Sequence, residues 1–253
     1  MPRHIEAYMD GVALSSVGPV IIQQVYEDAP TLEIMEGERP GRYGTRMINK
    51  KRQSLKVTIE MAIRELFDLQ ARASIMESVA AWARGSILEL SNRPARRLSV
   101  VCTGVPTLGA VRDYTATARI ELTAYEIPYW EDKLNSTLSL TGTSTSGSLT
   151  VPGTVPSPVC LDVVPSATLT SFSVTVGDET IALTGLSVAA NGHLLFARDE
   201  RDDLKITYNG VSQLSKRSAA SADDLMPSPG SVTVSITADK SVSVGVSARG
   251  RWE

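Results

Sequence analysis

The sequence predicts a mainly β chain of the α+β class: an N-terminal β-sheet domain with one packed helix, then a C-terminal β-sandwich. Three observations predict it. Apolar and polar residues alternate at period two along Leu55–Ile63 and again along Tyr114–Ala124. Between these runs lies a single stretch with helical spacing. Beyond residue 133 that spacing is absent, and short runs of small or β-branched residues are separated by turn signals.

In the first run, Leu55, Val57, Ile59, Met61 and Ile63 alternate with Lys56, Thr58, Glu60 and Ala62, so one face of a strand is buried and the other is wet. Next come Leu66, Leu69, Ala73, Met76, Ala80 and Ala83 at spacings of three and four, an amphipathic helix whose apolar face Ile75, Val79 and Trp82 widen. Gly85 stands where a left-handed residue commonly ends a helix. A shorter strand is predicted at Leu98–Thr103. The long strand follows, with Tyr114, Ala116, Ala118, Ile120, Leu122 and Ala124 on one face. A mixed or antiparallel sheet covered by one helix is the simplest arrangement of these elements.

The chain changes character near residue 134, which predicts domains at 1–133 and 134–253. Ten of the fifteen residues in Ser136–Thr150 are Ser or Thr, the composition of a linker or a polar edge strand. Seven strands are predicted after it: Val159–Val164, Phe172–Val176, Thr180–Leu183, His193–Ala197, Leu204–Tyr208, Val232–Ile236 and Val242–Val246. Gly177-Asp178, Asn191-Gly192, Asn209-Gly210 and Pro229-Gly230 punctuate them. Short strands at this spacing suggest a sandwich.

Composition bounds the function. A chain of 253 residues has room for one large domain or two small ones. At that size it buries roughly 70–75% of its unfolded surface and needs no staples. A net charge of -3 argues against a nucleic-acid binder that relies on a general basic field. Cys102 and Cys160 form no metal-ligand pattern and read as free, buried thiols of a protein folded in a reducing cytoplasm. Met1–Glu6 is not followed by the apolar run of a secretory signal, and no stretch approaches the ~18 apolar residues of a membrane span.

Catalytic chemistry has few candidates. The two histidines are His4, near the N-terminus, and His193, after Asn191-Gly192; both read as exposed polar residues with no partner motif. Neither cysteine has a nucleophile signature. The acidic cluster Asp199-Glu200-Arg201-Asp202-Asp203 lacks the central glycine and closing Glu of a calcium loop, and reads as a solvated turn between strands. No G-x-G-x-x-G and no P-loop is present, so no nucleotide site is implied; no residue pattern points to another cofactor or to a metal.

The most unusual segment is Glu36–Lys56, with seven basic residues (Arg39, Arg42, Arg46, Lys50, Lys51, Arg52 and Lys56) and two acidic ones. Pro40, Gly41 and Gly44 make it a loop or a wide hairpin. Three readings stand side by side: a phosphate-backbone contact, a protein–protein contact of the kind in which arginine is enriched, and a solvated loop. Tyr43 is its one aromatic residue, which weighs against a single-strand groove.

Several of these stretches, taken in order, resemble the distal tail protein family of long-tailed siphophages. Lys51–Ile59, the helix, Gly85-Ser86-Ile87-Leu88-Glu89-Leu90, Arg93-Pro94-Ala95-Arg96-Arg97-Leu98 and the long strand ending in Ala124-Tyr125-Glu126-Ile127-Pro128-Tyr129-Trp130 are similar to its N-terminal domain. Val151–Pro158 is similar to the opening of its galectin-like sandwich. Gly192–Phe196 followed by Asp199 resembles that sandwich's central hairpin, and Pro229-Gly230 with Arg249-Gly250-Arg251-Trp252 resembles its closing turn and strand. Ile127 stands where the family carries an acidic residue, and Ser231 where it carries an asparagine.

The resemblance implies a non-enzymatic virion protein at the tail tip, made in the bacterial host cytoplasm. Its N-terminal domains would form a six-membered ring, with the galectin-like sandwiches projecting outward. The implied partners are further copies of the chain, the tail tube protein and the tail-tip hub protein, with no membrane and no sequence-specific nucleic acid. A closed ring needs one patch of a subunit to meet a different patch of its neighbour, and Arg39, Arg42, Arg46, Lys50, Lys51 and Arg52 are the candidate contacts. The rival reading is a carbohydrate-binding module. Sugar sites present flat aromatic faces, and the second half contains only Phe172, Phe196, Tyr208 and Trp252.

Overall fold

The computed structural model describes residues 5–28, 32–37, 46–64, 69–104, 106–112 and 115–253. The chain divides into two compact units, Met1–Trp130 and Glu131–Glu253.

The first unit contains β1 (Ala7–Met9), β2 (Val12–Ala13), β3 (Val20–Asp28), β4 (Leu32–Gly37), β5 (Arg46–Arg52), β6 (Leu55–Arg64), α1 (Leu69–Trp82), β7 (Ile87–Leu90), β8 (Arg96–Ser99), β9 (Val101–Cys102), β10 (Thr107–Arg112) and β11 (Thr115–Ala124). Its main sheet is antiparallel, in the order β10-β11-β6-β3, with β9 also on β11. The period-two pattern accounts for it. Leu55, Val57, Ile59, Met61 and Ile63 on β6, with Ala116, Ala118, Ile120, Leu122 and Ala124 on β11, are all buried. β6 and β11 pair in continuous register from Leu55↔Ala124 to Arg64↔Thr115, so the two apolar rows share one face.

Three expectations about this unit change. Before Leu55 the one paired segment expected was the loop or wide hairpin at Glu36–Lys56, where β4 and β5 now pair; β1, β2 and β3 were not expected, and β1 pairs β2 and β7 while β3 flanks β6. The predicted strand Leu98–Thr103 is two strands, because the chain leaves β7 at Ser99 and joins β11 at Val101, with Val100 buried at the crossing. Gly85 does not end the helix through a left-handed conformation. Its φ is not positive, and the helix closes with tight three-residue bonds from the amides of Arg84 and Gly85 to the carbonyls of Ala81 and Trp82. Glycine is required there for space, since a Cβ would collide with the Met9 side chain and the Asp10 carboxylate.

The helix buries part of the face expected. Val79, Trp82 and Ala83 are buried, Met76 and Ala80 are half-buried, and Ala73 is exposed. The larger side chains turn inward: the Trp82 indole donates to the Val12 carbonyl at 2.7 Å, and Ile75 packs beside Gly18. Leu66 lies outside the described residues.

The second unit is built from β12 (Trp130–Val151), β13 (Val159–Pro165), β14 (Leu169–Val176), β15 (Glu179–Val188), β16 (Leu194–Arg198), β17 (Leu204–Tyr208), β18 (Val211–Ser212) and β19 (Gly230–Trp252). β19 joins two layers. Its first half, Val234–Ala238, pairs β14, which pairs β15; its second half, Val242–Ala248, pairs β13, which leads on to β16, β17 and β18. The layers enclose one core, where Phe172 of β14 meets Phe196 of β16 with ring centroids 5.9 Å apart.

Two expectations change here as well. Val232–Ile236 and Val242–Val246 are one strand, whose exposed middle around Asp239 is the crossing between layers. The Ser/Thr-rich segment is neither linker nor simple edge. It belongs to the 22-residue β12, which runs beside β19 and sends Leu140, Leu149 and Val151 into the core. A Cβ on Gly147 would lie 3.0 Å from Leu140 and 3.1 Å from Leu138. Residues this far apart in one strand meet only if the strand folds back on itself, as a chain switching sheets does.

Candidate protein interface

The basic segment folds as an antiparallel ribbon. β4 and β5 pair from Leu32↔Arg52 to Gly37↔Arg46, with Glu33 opposite Lys51, Ile34 opposite Lys50 and a bulge beyond Met35. Arg46, Lys50, Lys51 and Arg52 therefore stand on a strand, whereas Arg39 and Arg42 lie outside the described residues. Neither strand pairs with any other among the described residues. Glu33 is exposed, and Ile34 is half exposed. A two-stranded ribbon of this kind is marginal in water by itself and is ordinarily stabilised by something packed against it.

The wet face of the main sheet carries charges of both signs. Lys56, Glu60 and Arg64 of β6 alternate with the core positions, as do Arg119 and Glu121 of β11. Arg119 pairs with Glu121 at 3.1 Å, and the Tyr26 hydroxyl donates to Glu60 at 3.3 Å. At one end, Asp28, Lys56, Thr58, Thr103 and Thr123 surround a polar recess of about 160 Å³, in which the Thr103 and Thr123 hydroxyls bond at 2.9 Å. Thr58 and Thr123 are buried beside these charges, so this face is wet only in part.

The residues considered for chemistry fall elsewhere. His4 is outside the described residues. His193 gains a partner that spacing did not reveal: its Nδ1 lies 2.9 and 3.0 Å from the two carboxylate oxygens of Asp162, and both side chains are exposed. Asp162 also borders an open groove of about 460 Å³ across β12, β13, β16 and β19, with Cys160, Leu195, Gly245 and Ser247. Burial pushes the Cys160 thiol up, and the guanidinium groups of Arg198 and Arg249 only partly offset it, so the sulfur is a protonated thiol and a poor nucleophile. Cys102 is half-buried and donates to the Gly104 carbonyl at 3.0 Å. The groove's one aromatic residue, Phe196, is turned into the core, which leaves no ring face for a sugar. Among the described residues no cluster of three metal-ligating side chains is present, and no helix is long and apolar enough to cross a membrane.

The acidic cluster 199–203 is a turn, as expected, but not merely a solvated one. The Asp199 carboxylate accepts the amides of Arg201 and Asp203, both at 2.9 Å. That turn presents Asp202 to Arg251, a buried guanidinium that Glu131 also holds at 3.4 Å. Nearby, Trp252 donates to Asp132 at 2.8 Å, and Arg249 donates to Asn135 at 3.1 Å. Arg198 makes a two-pronged pair with Asp224. The closing Arg-Gly-Arg-Trp run thus has a structural role, tying the last strand of the unit to the first. Nothing in the spacing of Glu131, Asp202 and Arg251 announces that they meet.

No family model matches the sequence, and no curated protein matches it. Solved structures do. The chain is similar to the Dit protein (gp 19.1) of phage SPP1, described as a paradigm of the hub adsorption apparatus in phages infecting Gram-positive hosts. The TM-score is 0.71 at 12% identity, covering 97% of this chain and 98% of that one. It is also similar to a chain of the phage P2 baseplate in its activated conformation with Ca, with a TM-score of 0.50 at 9% identity, covering 99% of this chain and 98% of that one. At these identities the likeness is one of fold, and it spans both units.

Proposed function

We propose that this chain is a structural protein of a tailed-phage particle: a distal tail protein whose copies form a hexameric ring joining the tail tube to the tail-tip hub or baseplate. It is made in the host cytoplasm, works in the virion and catalyses no reaction. The observation that carries this reading is the end-to-end likeness to the SPP1 Dit protein, a sheet unit followed by a sandwich unit with 97% and 98% of the two chains covered. The ring is assigned to the first domain, residues 1–133, and the outward galectin-like sandwich to residues 134–253.

The ribbon β4–β5, which pairs with no other strand among the described residues, adds to the case. It exposes Ile34 and, over Arg46–Arg52, carries four basic residues. In a ring it would pack on the neighbouring copy, gaining the cover that a two-stranded ribbon requires. A permanent ring contact of this type buries upwards of ~2,000 Å².

Light scattering behind a sizing column, with negative-stain images of the same peak, tests the reading. Rings of about six subunits, the closed cyclic assembly expected of a heterologous contact, are the expected result. A monomer that still fails to form rings when mixed with tube and hub proteins overturns it. The carbohydrate-binding alternative has no exposed ring face in the sandwich groove to support it. It would be revived by a monomer that binds on a glycan array.

A further inference from the structure

We draw no further inference here: the strongest candidate, the open groove across β12, β13, β16 and β19 bordered by Cys160, Asp162, Leu195 and Gly245, is an unpartnered, mainly apolar face, and nothing in the structure shows what covers it.

Discussion

Arg251 and Asp202, 49 residues apart, form a two-pronged ion pair in which Nη1 donates to Oδ2 at 2.7 Å and Nη2 to Oδ1 at 2.6 Å. Arg251 is only 2% exposed. Removing one partner of a buried pair leaves the other charge uncompensated, which costs about 3–5 kcal/mol. Asp202→Asn is the informative change, because asparagine tolerates the positive φ of 66° at this position. The second unit should lose on the order of 3 kcal/mol in urea unfolding, the lower end of that range because Glu131 remains. A loss under about 1 kcal/mol, the size expected of an exposed pair, would show that water reaches the guanidinium.

Gly153 lies against the backbone of Arg251. Its φ is 120°, a conformation that side chains resist, and a Cβ there would collide with the Arg251 carbonyl oxygen. Backbone cannot yield as a flexible side chain can. Gly153→Ala should therefore destabilise the second unit by about 2 kcal/mol or more. Gly210→Ala is the control: its φ is 77°, but no atom lies within 4 Å of the added Cβ. It should cost about 1 kcal/mol from backbone strain alone. Equal losses in the two variants would remove the steric argument.

Acid should weaken the sandwich unit through two capping carboxylates. Asp199 is held below its ordinary range, first by the Asp203 amide and then by the Arg201 amide, against some desolvation. For Asp239, desolvation alone would raise the value, but bonds from the Thr170 hydroxyl and the amides of Thr170 and Ser171 prevail and lower it. A carboxyl with a depressed folded value contributes stability that is complete above its unfolded pKa of about 3.9. That contribution is lost as pH falls through the lower folded value. Urea midpoints should fall below pH ~4, and the Asp199→Asn, Asp239→Asn double variant should have a flatter acid limb. An unchanged limb would assign the acid sensitivity to other groups.

Cys160 should react slowly with alkylating agents. Burial raises its thiol above the ordinary range, so little thiolate exists near neutral pH. In a Cys102→Ser background, iodoacetamide at about pH 8, just below the free-thiol pKa of about 8.5, should modify the folded protein at least about tenfold more slowly than the urea-unfolded chain. Comparable rates would place the sulfur in water with an ordinary pKa.

Assembly should depend on the ribbon. Reversing three of its charges with Lys50→Glu, Lys51→Glu and Arg52→Glu should shift the particle mass toward monomer while leaving the melting temperature of the monomer within a few degrees. Charged contacts are screened by salt over a Debye length of about 8 Å at physiological ionic strength, so wild-type rings should also loosen as salt rises. Intact rings in the triple variant would remove these residues from the contact.

Much of the fold was legible because burial leaves a local imprint. Leu55–Ile63 and Thr115–Ala124 alternate because one face of each strand is dry, and that alternation survives without knowledge of the partner strand. The turns at Gly177-Asp178 and Asn209-Gly210 announce themselves in the same way: Gly177, Asn209 and Gly210 all take positive φ. The buried helix stripe was read only approximately, since spacings of three and four fit two neighbouring stripes and the bulk of Ile75, Val79 and Trp82 chose between them.

The sequence by itself determined that the chain is mainly β with one helix, and that its character changes near residue 134. Only the tertiary structure decided which strands are continuous and which charges are buried. β12 and β19 each pass from one layer to another, so their apolar periodicity breaks where the strand does not. The ion pair of Arg251 with Asp202 and the bond from Trp130 to Glu27, 103 residues apart, join residues that no local pattern links. The physical reason is range: side-chain periodicity is set by the nearest turns of backbone, whereas the partner of a buried charge is set by where distant segments of chain come to rest.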